Sequence, residues 1–73
     1  MKVMVPFAEG FEEIEALTVV DVLRRAGIQV DTVGVVGSVV LSAHGVRMMV
    51  DKRLNEINPD EYDAIILPST FQL

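Results

Sequence analysis

The fold is decided by residues 2–36, which read KVMVPFAEGFEEIEALTVVDVLRRAGIQVDTVGVV. Residues 2–7 are a short apolar run that contains a proline near its end, which predicts a buried strand. Residues 28–36 are rich in β-branched side chains and predict a second strand. The segment between them is long enough for a helix. This β-α-β order is typical of an α/β fold with a parallel crossover.

The segment between the two strands carries the signals of a helix from about residue 11 to residue 26. Acidic residues are concentrated in its first turn, and Arg24 and Arg25 lie in its last turn. This arrangement of charges is stabilised by the helix dipole. Gly27 is well placed as the residue that ends the helix, because glycine adopts a left-handed backbone there at little cost. A turn at residues 8–10 joins this helix to the first strand.

The rest of the chain predicts further strands and no second long helix. Two short runs around Ala43-His44-Gly45 predict a hairpin-like pair, a polar connection with one helical turn follows, and a last strand precedes Pro68. These segments are residues 39–42 and 46–50 (the pair), 51–59 (the connection) and 62–68 (the last strand). Nothing marks a linker or repeat, so we predict a single partial α/β domain over residues 1–73 with the order β-α-β-β-β-β.

The predicted helix has apolar residues on two sides. Glu15 shares a stripe with Val19, Val22 and Ala26 at spacings of i, i+4, i+7 and i+11, and Leu23 lies beside them. Ile14 and Leu17 lie on nearly the opposite side, among polar residues. A helix that is apolar on two sides packs on two sides. We therefore expect one face on the sheet and the other on a second subunit.

Glu15 is the leading functional candidate, because a carboxylate at the head of an apolar stripe is costly unless it is paired, protonated or used. Held near the carboxyl ends of the strands, where open α/β sheets place their sites, a protonated Glu15 could donate a hydrogen bond at neutral pH. The alternative is a solvated glutamate that only favours the helix dipole. The spacing alone leaves both hypotheses open.

The bulk composition limits the function. The 73 residues are 51% hydrophobic with a net charge of −5 and no cysteine. So small a chain with so much apolar surface is expected to need a partner. The negative charge argues against nucleic acid and anionic membranes as partners. No run approaches the roughly 18–20 apolar residues of a membrane-spanning helix, and no signal-peptide layout is present, so we expect a cytoplasmic location.

The other candidate residues give weaker signals. His44 is the single histidine, and without cysteine or a second histidine we expect no typical zinc site, so a turn-capping role is favoured. No nucleotide-binding glycine pattern is present and no cofactor is expected. Ser69 and Thr70 lack a nucleophile-elbow context and are expected to be turn or cap residues. Met48 and Met49 are expected in the core or an interface.

The residues of the first strand and helix, VMVPFAEGFEEIEALT and VDVLRRAGI, closely resemble the N-terminal part of the ThiJ/PfpI superfamily, which comprises the Parkinsonism-associated deglycase and the intracellular-protease-like proteins. The closing run Tyr62-Asp63-Ala64-Ile65-Ile66-Leu67-Pro68 resembles the strand that precedes a Gly-Gly loop in that family. The resemblance covers residues 1 to about 68.

The resemblance implies a flavodoxin-like, mostly parallel sheet of which this chain is the N-terminal portion. It implies that Glu15 is the acid that hydrogen-bonds a nucleophilic cysteine in glyoxalase-, deglycase- or protease-like enzymes. It also implies dimerisation through the first helix. The predicted interface residues are Ile14, Leu17, Met48 and Met49.

The departures from the family pattern leave three hypotheses. The family chain is more than twice as long, its cysteine and partner histidine are not found here, and Ser69-Thr70 stands where the family has Gly-Gly, within a divergent tail of residues 69–73. The chain is then a fragment inactive alone, half of a split protein completed by a C-terminal chain, or an oligomeric interaction or chaperone-like module. Its substrate cannot be read from these residues.

Overall fold

The computed structural model describes residues 1–68 of the protein, so the predictions made for Ser69, Thr70 and the rest of the tail lie outside the described residues. The predicted α/β class is confirmed. The elements are β1 (Lys2–Phe7), α1 (Glu13–Arg25), β2 (Gln29–Gly34), β3 (Val39–Leu41), β4 (Arg47–Met49), β5 (Lys52–Arg53) and β6 (Ala64–Ile65), with 3-10 turns at Leu54–Glu56 and Pro59–Glu61.

Four strands form one parallel sheet in the order β5-β2-β1-β6, and β3 pairs with β4 as a separate antiparallel hairpin. β1 pairs along its whole length with β2, from Lys2 opposite Gln29 to Phe7 opposite Gly34. β1 pairs with β6 only at Val3 and Met4. The carboxyl ends of β1, β2 and β6 therefore lie along the same edge of the sheet.

β1 is the centre of the core, because Val3, Met4, Val5, Pro6 and Phe7 are all buried. Since successive side chains point to opposite faces, this burial means that both faces of the strand are covered, as is usual in a parallel sheet.

Pro6 is tolerated in this central strand because its missing N–H would point toward β6, whose ladder ends before it, and not toward β2. The carbonyls of Met1 and Phe7 accept hydrogen bonds from Gln29 N in β2 and Val35 N just after it. Those of Lys2 and Met4 accept from the segment that contains β6. Even-numbered residues of β1 thus face β6. The ladder to β6 ends with the bond from Ile66 N to the Met4 carbonyl at 2.9 Å, because the next donor on β1 would be Pro6.

The predicted core stripe of α1 is wrong by one residue. The helix buries Ala16 and Val20 and half-buries Leu23, whereas Val22 is 56% exposed. Both stripes have the same i, i+4, i+7 spacing, because the helix contains the pairs Val19-Val20 and Val22-Leu23. The stripe one position further on begins with Ala16 rather than Glu15. It is favoured because burying an alanine costs far less than burying a carboxylate.

Gly27 terminates the helix, as predicted, two residues after Arg25. This glycine has a φ of +81°, and its N–H donates to the Arg24 carbonyl while Ile28 N donates to the Leu23 carbonyl. These two bonds form a Schellman motif, with Leu23 and Ile28 both packed against the core. Within residues 1–68, no helix is both long enough and apolar enough to cross a membrane.

Two strands differ from the sequence prediction. The predicted connection over 51–59 contains β5, whose Lys52 and Arg53 pair with the end of β2. The predicted last strand over 62–68 is reduced to Ala64–Ile65, because its ladder to β1 stops at Pro6. The hairpin was predicted correctly, and Val40 of β3 is fully buried in the hydrophobic core.

Asp51 joins three parts of the fold. Its Oδ2 accepts hydrogen bonds from Thr32 N, Thr32 Oγ1 and Arg24, each at 2.9 Å, and its own N–H donates to Thr32 Oγ1 at 2.8 Å. The end of α1, the middle of β2 and the β4–β5 junction are thereby connected. Partial burial raises the pKa of Asp51, but the hydrogen bonds from Thr32 and the Arg24 charge outweigh it and leave the pKa below its usual 3.8.

The free energy of unfolding should therefore decrease in acid as Asp51 becomes protonated. A carboxyl group with a lowered folded-state pKa contributes stability above its unfolded pKa and loses it as the pH falls through the folded value. We expect Asp51→Asn to cost about 1 kcal/mol at neutral pH, since the side chain is partly solvated. That difference from the wild type should shrink once the pH is below 3.8. Urea denaturation at several pH values measures it.

Asp60→Asn is the matched control, because Asp60 is exposed and lies outside this network. It should leave the pH dependence unchanged. A stability difference between wild type and Asp51→Asn that is the same at neutral and acid pH would contradict the assignment.

Candidate functional site at the start of the helix

The loop between β1 and α1 is fixed by backbone hydrogen bonds to the hairpin. Gly10 N donates to the Leu41 carbonyl and Ala43 N donates to the Phe11 carbonyl, each at 2.8 Å. Glu9 Oε2 accepts from Leu41 N at 2.8 Å. Gly10 supplies the turn with a φ of +85°, which other residues adopt at a cost. The hairpin therefore sets the direction in which the first turn of α1 leaves the sheet.

Phe11 anchors this loop in the core. It is 5% exposed and its ring packs edge-on against Phe7, the last residue of β1, with 4.9 Å between the ring centroids. Such aromatic pairs stabilise a fold beyond the area that they bury. The three glutamates that follow Phe11 are thus held at a defined place beyond the carboxyl end of β1.

Glu15 lies in the first turn of α1 and is exposed. The expectation that it heads the buried stripe is wrong for residues 1–68, since the core face begins at Ala16. Its place relative to the sheet is as expected, because α1 starts just beyond the carboxyl end of β1. The carboxyl end of the neighbouring β6 lies on the same edge.

Glu12 and Glu13 turn instead toward the hairpin. Glu13 Oε1 lies 2.7 Å from His44 Nδ1, and Glu12 Oε1 lies 3.6 Å from the same nitrogen. His44 was expected to cap a turn. The capping atom is in fact Ser42 Oγ, which accepts hydrogen bonds from His44 N and Val46 N, so the imidazole contacts the glutamates.

The surroundings of Glu13 lower the pKa of its carboxyl group. The nearby Ser42 hydroxyl has the largest effect and lowers the pKa of Glu13. Partial burial opposes it, and the Glu13 backbone and His44 lower the pKa further.

The Glu12, Glu13 and His44 grouping was missed by the sequence analysis. His44 is 31 residues from Glu13, and no local pattern reports a contact at that separation. The available signal was the predicted hairpin around His44, together with the acidic first turn of the helix. Their adjacency depends on which edge of the sheet the hairpin packs against.

The predicted interface residues are distributed between surface and core. Ile14 is 74% exposed, Leu17 40% and Met49 78%, whereas Met48 packs partly buried against the core. Ile14 and Leu17 also line a shallow depression on the outer side of α1 with Thr18 and Asp21. Their role in an interface stays a prediction.

Toward the amino-terminal edge of the sheet, polar side chains pair with one another around Asp31. Tyr62 Oη donates to Asp31 Oδ2 at 2.6 Å, and the Lys2 and Lys52 amines lie 3.9 and 3.5 Å from the same oxygen. Burial and the Asp31 carboxylate raise the pKa of Tyr62 to about 12. These contacts join the start of β1, β2 and β5 to the segment before β6, which indicates a stabilising role for this edge.

Comparison with known proteins settles the family. The model of the DJ-1/PfpI family matches residues 1–69. The chain belongs to the DJ-1/PfpI family. The resemblance to the ThiJ/PfpI superfamily and its flavodoxin-like N-terminal portion is thereby confirmed, and Glu15 stands in the matched segment.

Two curated relatives illustrate the match. The chain is 41% identical over 68 residues to Protein DJ-1 homolog B of Arabidopsis thaliana, covering 92% of this chain and 16% of that protein. It is 34% identical over 68 residues to Deglycase PfpI of Pyrococcus furiosus, covering 93% of this chain and 41% of that protein. The chain therefore spans less than half the length of either relative.

Solved structures give the same result for the fold. Oxidized Toxoplasma gondii DJ-1 superimposes with a TM-score of 0.87 at 38% identity, covering 96% of this chain and 39% of that chain. Drosophila melanogaster DJ-1beta gives a TM-score of 0.87 at 35% identity, covering 96% of this chain and 38% of that chain.

The role of Ser42 in fixing the hairpin turn can be tested by substitution. This side chain is 4% exposed, and Ser42→Ala leaves the N–H groups of His44 and Val46 without their acceptor. We expect a loss of about 1–2 kcal/mol in the free energy of unfolding, since two partly buried hydrogen bonds of ordinary net strength are lost. Urea denaturation followed by circular dichroism measures it.

Ser38→Ala is the control, since Ser38 is exposed and its contact with Val50 N is made by its backbone carbonyl, which the substitution keeps. It should change the stability by less than about 0.5 kcal/mol. Equal effects of the two substitutions would contradict the proposed role of Ser42 in fixing the hairpin turn.

Proposed function

We propose that the chain is the acid-bearing N-terminal part of a cysteine-dependent enzyme of the deglycase or glyoxalase type, in which Glu15 hydrogen-bonds and tunes the thiol. The observation that carries the proposal is the position of Glu15. It lies in the first turn of α1, just beyond the carboxyl end of β1 and on the same edge as the carboxyl end of β6. Ligands of open α/β sheets bind outside this edge.

Glu15 is also set apart from its neighbours in the first turn. Glu12 and Glu13 are directed to His44, and Glu15 is not a member of that group. A thiol is not available within the 73 residues, which contain no cysteine. In the proposal, the nucleophile comes from a complementary C-terminal segment that covers Glu15. Removal from water would then favour the protonated, hydrogen-bond-donating form of the acid.

The surface of the described residues supports such a complement. Ile65 and Leu67, on and after β6, are 57% and 59% exposed, and β1 is the only sheet neighbour of β6 within residues 1–68. An edge strand with one unpaired side and exposed apolar side chains is expected to pair with a further segment. The proposed partner is a C-terminal segment of the family type, whether in the same polypeptide or in a second chain.

Self-association is a second proposal, and exposed apolar side chains outside β6 favour it. Ile14 and Leu17 on α1 and Met49 on β4 are all exposed. Exposed apolar side chains of this kind fit a homo-oligomer, in which the chain acts as an assembly module alongside the enzymatic role. On this proposal the isolated chain is not a stable monomer.

A chimera tests the role of Glu15. Residues 1–68 replace the matching N-terminal segment of Deglycase PfpI of Pyrococcus furiosus, and methylglyoxal turnover is measured. We expect an active chimera in which Glu15→Gln lowers kcat by about 100-fold or more, the usual contribution of a positioned acid. The 73-residue chain alone should show no turnover.

Asp21→Asn is the matched control in the chimera, because Asp21 is an exposed carboxylate of the same helix whose contact is with Arg25. It should leave turnover unchanged. A folded Glu15→Gln chimera with full activity would contradict the assignment, and turnover by the isolated chain would contradict the need for a second segment.

A further inference from the structure

A cavity opens at the carboxyl edge of the sheet, beside the ends of β2 and β5. Its volume is about 360 Å³, and it is lined by residues 34–37, where the chain leaves β2, and by residues 53–55, where the chain leaves β5. This volume falls in the lower part of the range found for small-molecule sites. Ligands of open α/β sheets bind outside this edge, so the cavity is placed where a ligand is expected.

The wall formed by residues 34–37 is shaped by a close backbone contact. A Cβ on Gly34 would lie 1.8 Å from the Gly37 carbonyl oxygen and 2.9 Å from Val50 Cγ2. The turn can therefore fold back over the end of β2 because residue 34 is glycine. Val35 N also donates to the Phe7 carbonyl at 3.0 Å. These contacts form the wall without help from a ligand.

Arg53 is the cationic residue of the other wall, and its side chain is already held in place. Glu56 Oε2 accepts a hydrogen bond from Arg53 Nη2, and Glu56 Oε1 accepts one from Arg53 N, each at 3.0 Å. One carboxylate thus fixes both the backbone and the guanidinium of Arg53. Because a guanidinium has five N–H donors in a planar fork, the bond to Glu56 through Nη2 leaves donors for a second carboxylate.

The lining indicates the chemistry of the ligand. Besides Arg53 it consists of glycine backbone, the Asn55 amide and three apolar side chains, those of Val35, Val36 and Leu54. None of the lining residues within 1–68 is acidic, which disfavours a metal cation. A single guanidinium that is shared with Glu56 matches one negative charge better than the two of a phosphate monoester. The planar fork suits a carboxylate.

The apolar side chains indicate the rest of the ligand. Val36 is 70% exposed and Leu54 is 45% exposed. An aliphatic group bound in the cavity would remove part of this apolar surface from water, which is favourable in proportion to the area covered.

We propose that this cavity binds a small aliphatic monocarboxylate, with the carboxylate on Arg53 and the hydrocarbon chain against Val36 and Leu54. The site lies at the ends of β2 and β5, whereas Glu15 lies beyond β1, so the proposal does not depend on the enzymatic role of Glu15. The competing explanation is that Arg53 and Glu56 only stabilise the turn after β5. That explanation predicts no saturable binding.

The experiment is a titration of sodium isocaproate into the isotope-labelled 73-residue chain, followed by two-dimensional NMR. We expect the amide signals of residues 34–37 and 53–55 to shift along a one-site binding curve. Arg53→Gln should weaken binding by about 10-fold or more, the usual effect of losing a hydrogen bond to a charged group. Acetate, which has the charge without the chain, and isocaproamide, which has the chain without the charge, should each bind at least about 10-fold more weakly than isocaproate.

Two further variants separate binding from folding. Arg47→Gln is the matched control, because Arg47 is an exposed arginine on β4 outside the cavity lining, and it should bind isocaproate as the wild type does. Leu54→Ser keeps Arg53 and should still weaken isocaproate binding, since it removes part of the apolar wall. The ligand-free variants should keep the wild-type signals of β1 and α1.

Three results would overturn the proposal. They are shifts that do not saturate, isocaproate binding that Arg53→Gln leaves undiminished, and equal affinity for acetate and isocaproate.

Discussion

The structure depends on the burial of β1 on both faces and its pairing on both sides. Val3, Val5 and Phe7 lie at the centre of the hydrophobic cluster that includes Ala16 and Val20 of α1. The backbone of the strand bonds to β2 along its length and to β6 over two residues. Because an unpaired buried backbone group is expensive, the positions of β2 and β6 follow from that of β1. The placement of the helix start follows from it too, through the contact of Phe7 with Phe11.

This arrangement gives the two edges of the sheet different roles. Toward the amino-terminal edge, Tyr62, Lys2 and Lys52 surround Asp31 and join β1, β2 and β5 to the segment before β6. At the carboxyl edge, the glutamates at the start of α1 are held outward by the loop and the hairpin. The first edge pairs the Asp31 carboxylate with neighbouring side chains, whereas the second carries the glutamates at the start of α1. Function in an open α/β sheet is expected at the second edge.

The sequence predicted elements best where a local signal marks both ends. β1 was predicted to the residue and α1 to within about two residues at each end, because proline, acidic residues and Gly27 bracket them. The buried face of the helix could not be fixed this way, because the adjacent valines and leucine allow two stripes and only tertiary packing selects one. β5 was missed because Lys52 and Arg53 have no strand pattern and pair only when the edge of β2 is available.

One part of the candidate site could be predicted from the sequence and another part could not. The family resemblance found Glu15, since its motif is contiguous in sequence. The contact of His44 with Glu13 spans 31 residues and depends on how the hairpin packs, so no spacing rule could report it. The short length of β6 could not be predicted either. It follows from Pro6 of β1, which lacks the N–H that would extend the β1–β6 ladder, and the side of β1 that Pro6 faces is known only from the folded structure.

Native-state hydrogen exchange measured by NMR tests the central position of β1 most directly. The backbone amides of Val3, Val5 and Phe7 should be the most protected in the chain and should exchange only through global unfolding. The amides of the hairpin strands β3 and β4 should exchange through smaller, local openings. If the amides of β1 exchange as fast as those of the hairpin, β1 is not the element on which the rest of the fold depends.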